Sequence, residues 1–522
     1  MNSTKLAKNL VRQLIELGVS DFVISPGSRN APLLVALNTA EKLQLVDLHS
    51  RLDERGAAYF ALGLSKASRK YVAAVCTSGT AAANYLPALL EAYHSGTKLL
   101  LITADRPARL RRTGANQTTI QPGMFSVIES HDISDVVDLQ KILKSGPVHL
   151  NVQFDEPLIE DEDQKWLDGI KVETSDVTES HQGKLKVTTG VVVIGHDRGG
   201  FTVDDVTEFC DKLNWPVIAE DPISFPNSIF HATLFLQDEK IAEYLKPEWA
   251  VVIGRTTLSR SINKFMNSAK FQAYFDQNQA NDHRSADIKA NHLPNQIIKD
   301  ENYDQSRWEI IKASATEFID KSFEKSIWGE QLAIREIIKK TPADSALFLG
   351  ASRPTRDVEA VVNQSQQISV FANRGLSGID GNLATIFGIS QEFEKTTAIV
   401  GDLTFLHDLS ALINPAKSNI RIFVIDNNGG GIFSLLPVSK TSEFEKLFAT
   451  PHNLDIAKVL SGFSINHSVV ADLAGLNKIL NTEVSGLEVV LLKMPSRSVN
   501  ADFLKQLTQS VSKAVRIGLN LA

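Results

Sequence analysis

Cysteine is almost absent from this chain of 522 residues, since only Cys76 and Cys210 occur, far apart and outside any CxxC motif. This scarcity argues against a disulfide framework or a thiolate metal site and predicts buried thiols in a reducing cytoplasm. Long apolar runs are also missing. The runs Leu99–Ile102 and Val191–Ile194 have the length of strands and are far too short to span a bilayer.

Positive charge is not in excess either. The net charge of −7 and the pI near 6.0 argue against nucleic acid or an anionic membrane as the main partner. The first residues run into an amphipathic helix without an apolar signal segment, so no secretory signal peptide is expected. A cytoplasmic protein is therefore predicted.

Two common phosphate-binding motifs are missing. The chain contains no GxxxxGK[ST] sequence, and no GxGxxG follows its first predicted strand. The nearest candidate, Gly195-His-Asp-Arg-Gly199-Gly200, has the wrong spacing. We interpret it as a plain turn from a strand into a helix.

Short β-branched or leucine-rich runs alternate with helical patterns along the whole chain, which is typical of α/β domains with parallel sheets. The length suits three such domains. We predict an N-terminal domain with its linker at residues 1–180, a central domain at residues 181–320, and a third domain at residues 321–522. The acidic stretch Asp155–Lys184 is interpreted as the linker between the first two domains. In the N-terminal domain, helices are predicted at Glu54–Ser68 and Thr80–His94.

Two loops in the third domain carry oxygen ligands. They are Thr397-Ala-Ile-Val-Gly-Asp402-Leu and Ile425-Asp-Asn427-Asn428-Gly429-Gly430-Gly431. Both are predicted to follow parallel strands, at the sheet edge where open α/β folds bind ligands. Oxygen ligands suit Mg²⁺ or Mn²⁺, with phosphate groups in the remaining positions. We predict that the Asp402 carboxylate, the Asn428 side-chain oxygen and the Gly430 carbonyl bind this cation, although Gly-Asp taken alone is also a common solvated turn.

A cation site of this kind predicts thiamine diphosphate as the cofactor. Thiamine chemistry needs one protein carboxylate that hydrogen-bonds N1′ of the aminopyrimidine, in place of a separate general base. The best candidate is Glu54, which follows Asp53 at the start of a predicted helix. Judged by spacing alone, Asp53 and Glu54 could equally cap that helix through its dipole.

Several segments carry a resemblance to one family. In chain order they are Ile24-Ser25-Pro26-Gly27-Ser28-Arg29-Asn30-Ala31-Pro32-Leu33, Asp53-Glu54-Arg55, Thr77-Ser78-Gly79-Thr80-Ala81, Asp105-Arg106-Pro107, Gly114-Ala115-Asn116-Gln117, Gln121-Pro122-Gly123-Met124-Phe125, Asn373-Arg374-Gly375, Ile379-Asp380-Gly381, Gly401-Asp402-Leu403 and Asn428-Gly429-Gly430-Gly431-Ile432-Phe433. Together they resemble the 2-succinyl-5-enolpyruvyl-6-hydroxy-3-cyclohexene-1-carboxylate synthases, thiamine-diphosphate enzymes of menaquinone and phylloquinone biosynthesis. The resemblance covers the first and third domains, whose motifs occur in the same order. The central domain resembles the family mainly in its general character.

The resemblance implies a reaction that joins 2-oxoglutarate to isochorismate with loss of CO₂. Both substrates are dicarboxylates, which arginines on strand-end loops are suited to hold bidentately. The implied substrate-binding residues are Ser28, Arg29, Arg106, Gln117, Arg260, Ser352, Arg356 and Arg374. Arg260 stands where the family usually has a lysine. Taken singly, each arginine could instead be solvated or form a weak surface ion pair.

The resemblance also implies the cofactor site. Its members are Glu54, which is also the catalytic residue, Ser352, Ile379, Gly401, Asp402, Asn428, Gly430, Ile432 and Phe433. For the apolar members, ordinary core packing is the alternative interpretation. In such enzymes the cofactor lies between the N-terminal domain of one chain and the C-terminal domain of another, so we expect a homodimer at least and a homotetramer as the family implies.

Two other functions compete with this prediction. Another thiamine-diphosphate enzyme, such as an acetohydroxyacid synthase or a 2-oxoacid decarboxylase, would act on monocarboxylates and would not need so many arginine-bearing loops. A catalytically silent binding protein could also keep the fold. The loss of Glu54 or Asp402 would be its signature, and both residues are present.

Overall fold

A computed structural model describes residues 2–160, 164–172, 183–278, 286–364 and 366–521. The predicted linker lies partly outside these ranges, at residues 161–163 and 173–182. The chain forms two compact units. Unit 1 comprises Met1–Glu179, Asp380–Phe393 and His407–Lys417, and unit 2 comprises Ser180–Ile379, Glu394–Leu406 and Ser418–Ala522. The division into three domains remains a prediction.

The strands of the described residues are short, as expected for α/β domains. In chain order they are β1 (Asp21–Ile24), β2 (Asp47–Ser50), β3 (Val72–Cys76), β4 (Leu99–Asp105), β5 (Ser130–Ile133), β6 (Val148–Gln153), β7 (Lys184–Lys186), β8 (Gly190–Ile194), β9 (Val217–Ala219), β10 (Trp249–Ile253), β11 (Phe271–Phe275), β12 (Ile288–Ala290), β13 (Gln296–Ile298), β14 (Ala346–Leu349), β15 (Ser369–Phe371), β16 (Lys395–Gly401), β17 (Asn419–Asp426), β18 (Asn466–Val470) and β19 (Leu487–Lys493).

Helices alternate with these strands. In chain order they are α1 (Ser3–Glu16), α2 (Ala31–Lys42), α3 (Glu54–Ser68), α4 (Thr80–Ala83), α5 (Leu86–Ser95), α6 (Val203–Leu213), α7 (Ala232–Phe235), α8 (Glu239–Tyr244), α9 (Arg260–Asn267), α10 (Ser306–Glu324), α11 (Glu330–Lys340), α12 (Arg353–Val361), α13 (Asn382–Ile389), α14 (Asp402–His407), α15 (Ile456–Gly462), α16 (Leu473–Leu480) and α17 (Arg497–Gly518). Within the described ranges, none of them is long and apolar enough to cross a membrane.

Every strand pairing found in the described residues is parallel, which confirms the predicted α/β class. Unit 1 has a six-stranded sheet in the order β2-β1-β3-β4-β6-β5. Unit 2 has a five-stranded sheet, β12-β11-β10-β8-β9, a six-stranded sheet, β15-β14-β16-β17-β19-β18, and the pair β13-β7. Because parallel strands share one direction, the loops that follow them meet at one edge of each sheet.

The cores form where the helices cover the sheets. In unit 1, Leu6, Leu10 and Leu14 of α1 are buried and belong to the same apolar cluster as Phe22 of β1. Their spacing of four residues puts them on one face of the helix. Strands β3 and β4 are buried at every position, as expected for central strands covered on both faces.

Two local expectations differ from the structure. The helix predicted at Thr80–His94 is divided into α4 and α5, and Pro87 lies in the first turn of α5. Proline has no N–H to donate to the preceding turn, so it is tolerated at a helix start and not inside. Strand β6 is absent from the predicted elements, although Val148, Leu150 and Val152 alternate with polar residues as in a strand. Its His149 and Asn151 are buried as well.

Helices α3 and α13 of unit 1 pack closely because glycine lies at their contact. A Cβ atom at Gly63 would lie 2.1 Å from the Thr385 carbonyl oxygen. A Cβ atom at Gly388 would lie 2.0 Å from the Phe60 carbonyl oxygen. The two backbones can therefore approach only while both positions lack a side chain. This packing supports the helix that begins with Glu54.

We expect Gly63→Ala to lower the free energy of unfolding by about 1–3 kcal/mol, because the added methyl overpacks a backbone contact. Urea denaturation measures this change. Gly462→Ala is the matched control, since nothing lies within 4 Å of a Cβ atom there. Equal stability of the two variants would contradict the packing argument.

Candidate functional site

The predicted cation loops of unit 2 are in contact. Asp402, which follows β16, is buried, and its Oδ1 accepts a hydrogen bond from the Leu403 N–H at 2.7 Å. Its Oδ2 accepts from the N–H of Gly429 at 2.8 Å. Because Gly429 belongs to the loop after β17, this bond joins the ends of two neighbouring parallel strands. The predicted parallel strands imply this contact between the loops that follow them.

Left-handed backbone shapes the second loop. Asn428 has a φ of +60° and Gly429 a φ of +132°. A Cβ atom at Gly429 would lie 2.3 Å from the Ala449 carbonyl oxygen, so only glycine fits. The N–H of Gly430 donates to that same oxygen at 2.7 Å. The Gly430 carbonyl accepts from the Phe433 N–H at 3.1 Å, and its second lone pair can still bind a cation.

The chemistry of this donor set suits a hard divalent cation. Burial raises the pKa of the Asp402 carboxyl, because the ionised form loses water contacts. A cation bound there would offset that desolvation. Ligand-type atoms of Asp402, Asp426 and His452 lie within 4.8 Å of one another. The oxygen atoms of Asp402, Asn428 and Gly430 are of the kind that Mg²⁺ prefers, so these residues fit the predicted ion.

A cleft of about 790 Å³ opens beside the second loop. It is lined by Asn428 and by three cationic side chains, which are Lys493 at the end of β19 and Arg497 and Lys505 of α17. Three carboxylates, those of Asp426, Glu445 and Asp502, also line it. Arg497 also donates to the carbonyl of Asn427 at 3.2 Å. Because each of the three cations is paired with one of these carboxylates, the cleft has no excess of positive charge that would favour phosphate groups.

Glu54 is the first residue of α3 in unit 1. The cap of that helix is Asp53, whose side chain accepts from the Arg55 N–H at 3.0 Å. In the part of the chain that the structure describes, the Glu54 carboxylate has no hydrogen-bond or salt-bridge partner. Its negative charge acts on a buried thiol, since burial and then Glu54 raise the pKa of Cys76. Asp53 therefore caps the helix, and the Glu54 carboxylate remains available for its predicted contact with the cofactor.

The other predicted residues of unit 1 lie at the strand ends. Arg29 follows β1, and its N–H donates to the Thr77 hydroxyl at 3.3 Å. Ser78, after β3, donates through Oγ to the Gln117 carbonyl at 2.8 Å, and Arg106, after β4, donates to that carbonyl at 3.4 Å. The loops carrying Arg29, Arg106 and Gln117 are thus connected by hydrogen bonds. Ser28 is exposed in the first of them.

In unit 2, Arg356 and Arg374 lie on loops or helices that follow β14 and β15. Arg356 Nη1 donates to the Ser352 carbonyl at 2.6 Å. Arg374 is buried and forms a bidentate ion pair with Glu220, with Nε–Oε1 at 2.5 Å and Nη2–Oε2 at 2.9 Å. Burial and then the positive charges of Arg353 and Arg374 lower the pKa of Arg356.

The remaining predicted residues are more exposed. Arg260 is exposed at the start of α9, and the nearby Leu258 N–H donates to Glu220 at 2.9 Å. Ile379 is 37% exposed. Ile432 and Phe433 are half-buried, and the Phe433 ring lies 6.0 Å from that of Phe448.

Three residues of unit 2 that contact the predicted ones are not among the predicted site residues. Glu220 pairs with Arg374, and His452 and Asn453 contact Asp402 and Asn428. Glu220 lies 154 residues before Arg374, and His452 lies 50 residues after Asp402. No periodicity or short motif connects positions so far apart.

Comparison with known proteins shows the family of the chain. The family described as thiamine pyrophosphate enzyme, N-terminal TPP binding domain, matches residues 4–125. A 2-succinyl-5-enolpyruvyl-6-hydroxy-3-cyclohexene-1-carboxylate synthase from a Nocardioides species is 34% identical over 94% of this chain and 94% of its own length. Proteins of the same name from Thermobifida fusca and Corynebacterium diphtheriae are 33% and 31% identical, covering 98% and 97% of this chain and 100% and 99% of their own lengths. The chain therefore belongs to the family of 2-succinyl-5-enolpyruvyl-6-hydroxy-3-cyclohexene-1-carboxylate synthases.

Proposed function

We propose that this enzyme decarboxylates 2-oxoglutarate and adds the resulting succinyl unit to isochorismate, giving 2-succinyl-5-enolpyruvyl-6-hydroxy-3-cyclohexene-1-carboxylate and CO₂ in menaquinone biosynthesis. The alternative, an acetohydroxyacid synthase or a simple 2-oxoacid decarboxylase, is not favoured, because relatives that cover nearly the whole chain carry the synthase name. We further propose a cytoplasmic homodimer or homotetramer.

The arginine cluster of unit 2 is the observation that carries the proposal. Burial and then the charge of Glu220 raise the pKa of Glu359, which favours its neutral form. Glu220 then balances one of the two guanidinium groups of Arg356 and Arg374. Among the described residues, no carboxylate lies within salt-bridge distance of Arg356. Arg356 is thus the arginine of this cluster without a carboxylate partner among the described residues, and its guanidinium group suits one substrate carboxylate.

The cofactor would be held at two places. Asp402, Asn428 and the Gly430 carbonyl would bind Mg²⁺ or Mn²⁺ and, through it, the diphosphate, beside Ser352, Ile379, Gly401, Ile432 and Phe433. Thiamine diphosphate, when bound, supplies the electron sink needed for loss of CO₂. The Glu54 carboxylate would hold a proton at N1′ of the aminopyrimidine. Ser28, Arg29, Arg106, Gln117, Arg260, Ser352, Arg356 and Arg374 would bind and orient the substrates, so positioning and electrostatics are the protein's main contribution.

The reaction is tested by incubating the protein with isochorismate, 2-oxoglutarate, thiamine diphosphate and Mg²⁺. We expect isochorismate loss and CO₂ release in equal amounts. Release of CO₂ without consumption of isochorismate would overturn the proposed coupling.

Glu54→Gln should reduce turnover by at least about 100-fold, because a neutral amide cannot hold the N1′ proton as a carboxylate does. Cofactor binding by this variant, measured by calorimetry, should persist.

A site shared between two chains can be tested by complementation. Glu54→Gln and Asp402→Asn are each expected to be inactive alone. Co-expressed in equal amounts, they should recover roughly a quarter of wild-type activity, since half of the dimers are mixed and each mixed dimer has one intact site. No recovery in verified mixed dimers would mean that each chain builds its own site.

The Glu220–Arg374 pair gives a stability prediction. Glu220→Ala removes one partner of a buried ion pair and should lower the free energy of unfolding by about 3–5 kcal/mol. The Glu220→Leu/Arg374→Met double variant should lose less than the sum of its two single changes. Urea denaturation measures both. Glu239→Ala, which breaks the exposed pair with Lys264 in the same unit, is the control and should change little.

A further inference from the structure

Residues 449–454, here called the brace segment, contact both predicted cation loops of unit 2. The Ala449 carbonyl accepts from Gly430, as described above. His452 Nε2 lies 3.3 Å from Asp402 Oδ2. Asn453 exchanges two hydrogen bonds with the side chain of Asn428. Each predicted side-chain ligand of the cation is thus met by one residue of the brace segment.

Backbone N–H groups fix the assignment of the ring atoms of His452 and of the side-chain amide of Asn428. A backbone N–H can only donate, and the Leu454 N–H lies 3.0 Å from His452 Nδ1. Nδ1 is therefore the acceptor, and the neutral ring carries its proton on Nε2, which points to Asp402. Similarly, the Asn453 N–H donates to Asn428 Oδ1 at 2.9 Å, so this atom is the oxygen. Asn428 Nδ2 donates in turn to Asn453 Oδ1 at 2.9 Å.

The same tautomer argues against His452 as a ligand of the cation. A ring nitrogen that carries a proton has no lone pair for a metal, and Mg²⁺ prefers oxygen. Asp426 already has partners, because it forms an ion pair with Lys493 and accepts a hydrogen bond from the Asn428 N–H at 3.3 Å. His452 is closer to Asp402 than to Asp426, at 3.3 Å against 3.7 Å. Its side chain is only 8% exposed, which keeps the ring in this position.

We propose that His452 and Asn453 are positioning residues of the cation site, which orient the Asp402 carboxylate and the Asn428 amide before the cation binds. The inference rests on the proposed function, in which Asp402 and Asn428 bind the metal. Partners that hold a metal ligand in place reduce the reorganisation needed on binding, and their loss costs metal affinity. Asn453 has a φ of +52°, so glycine can replace it without backbone strain.

The test is a Mg²⁺ titration at saturating thiamine diphosphate, in which binding is measured by calorimetry and by the change in melting temperature. We expect His452→Leu to raise the apparent Kd for Mg²⁺ by about 10–100-fold. His452→Gln, which retains an N–H donor, should lose less. Asn453→Gly removes one of the two bonds to Asn428 and should raise Kd less than His452→Leu. The control is His467→Leu, since the His467 ring contacts the Ile465 carbonyl outside the site; its Kd should not change.

The outcomes separate the two proposals. If the wild-type protein shows no Mg²⁺-dependent cofactor binding, the proposed function fails. If the wild type binds and His452→Leu binds with equal or higher affinity, the positioning role fails. If His452→Leu does not fold, the affinities of His452→Gln and Asn453→Gly for Mg²⁺ are measured instead. Unchanged affinity in both variants overturns the inference. A variant that only lowers the melting temperature of the cation-free protein points to a purely structural role, which also overturns it.

Mn²⁺ provides a spectroscopic check. In Mn²⁺-loaded wild type, electron spin-echo measurements should show no directly bonded imidazole nitrogen, because His452 acts through Asp402. A directly bonded nitrogen that disappears in His452→Gln would instead make His452 a ligand and would overturn the proposed role.

Discussion

The buried carboxylate of Asp402 is the constraint on which the rest of unit 2's site depends. A carboxylate taken out of water must be compensated, and the N–H groups of Leu403 and Gly429 do this only in part, because burial still raises its pKa. The bond to Gly429 also holds the loop after β17 against the loop after β16. The same group is therefore suited to a cation, and its bond to Gly429 holds together the loops that are predicted to bind one.

The loops around Asp402 have the backbone that this arrangement needs. Gly429 lies where a side chain would overlap the Ala449 carbonyl, and Gly430 donates to that carbonyl. The segment that begins there continues to His452 and Asn453. Rigid backbone contacts thus hold the side chains that face the site, which is how a protein keeps a binding geometry ready before its ligand arrives.

The buried carboxylate of Glu220 connects the strand-end loops next to Arg356 and Arg374. Glu220 accepts two bonds from Arg374 and one from the Leu258 N–H, so it connects the loop after β10 with the loop after β15. Glu359 is held towards its neutral form by burial and by the charge of Glu220. Arg374 is thus paired with Glu220, whereas Arg356 has no carboxylate within salt-bridge distance among the described residues.

The sequence alone was enough for the α/β class, because strand-length apolar runs alternate with helical patterns along the chain. The predictions of the two cation loops and of Glu54 depended on glycines beside oxygen ligands, on a carboxylate at a helix start and on the family resemblance, and the roles of these residues remain predictions. Helix α3 has its predicted bounds, whereas strand β6, in which apolar and polar residues alternate, was not predicted. The tertiary structure decided that Asp53 rather than Glu54 caps α3, that Arg374 pairs with Glu220, and that His452 and Asn453 contact the cation loops. Those pairings join residues far apart in the chain, and only the packed sheets bring them within hydrogen-bond distance.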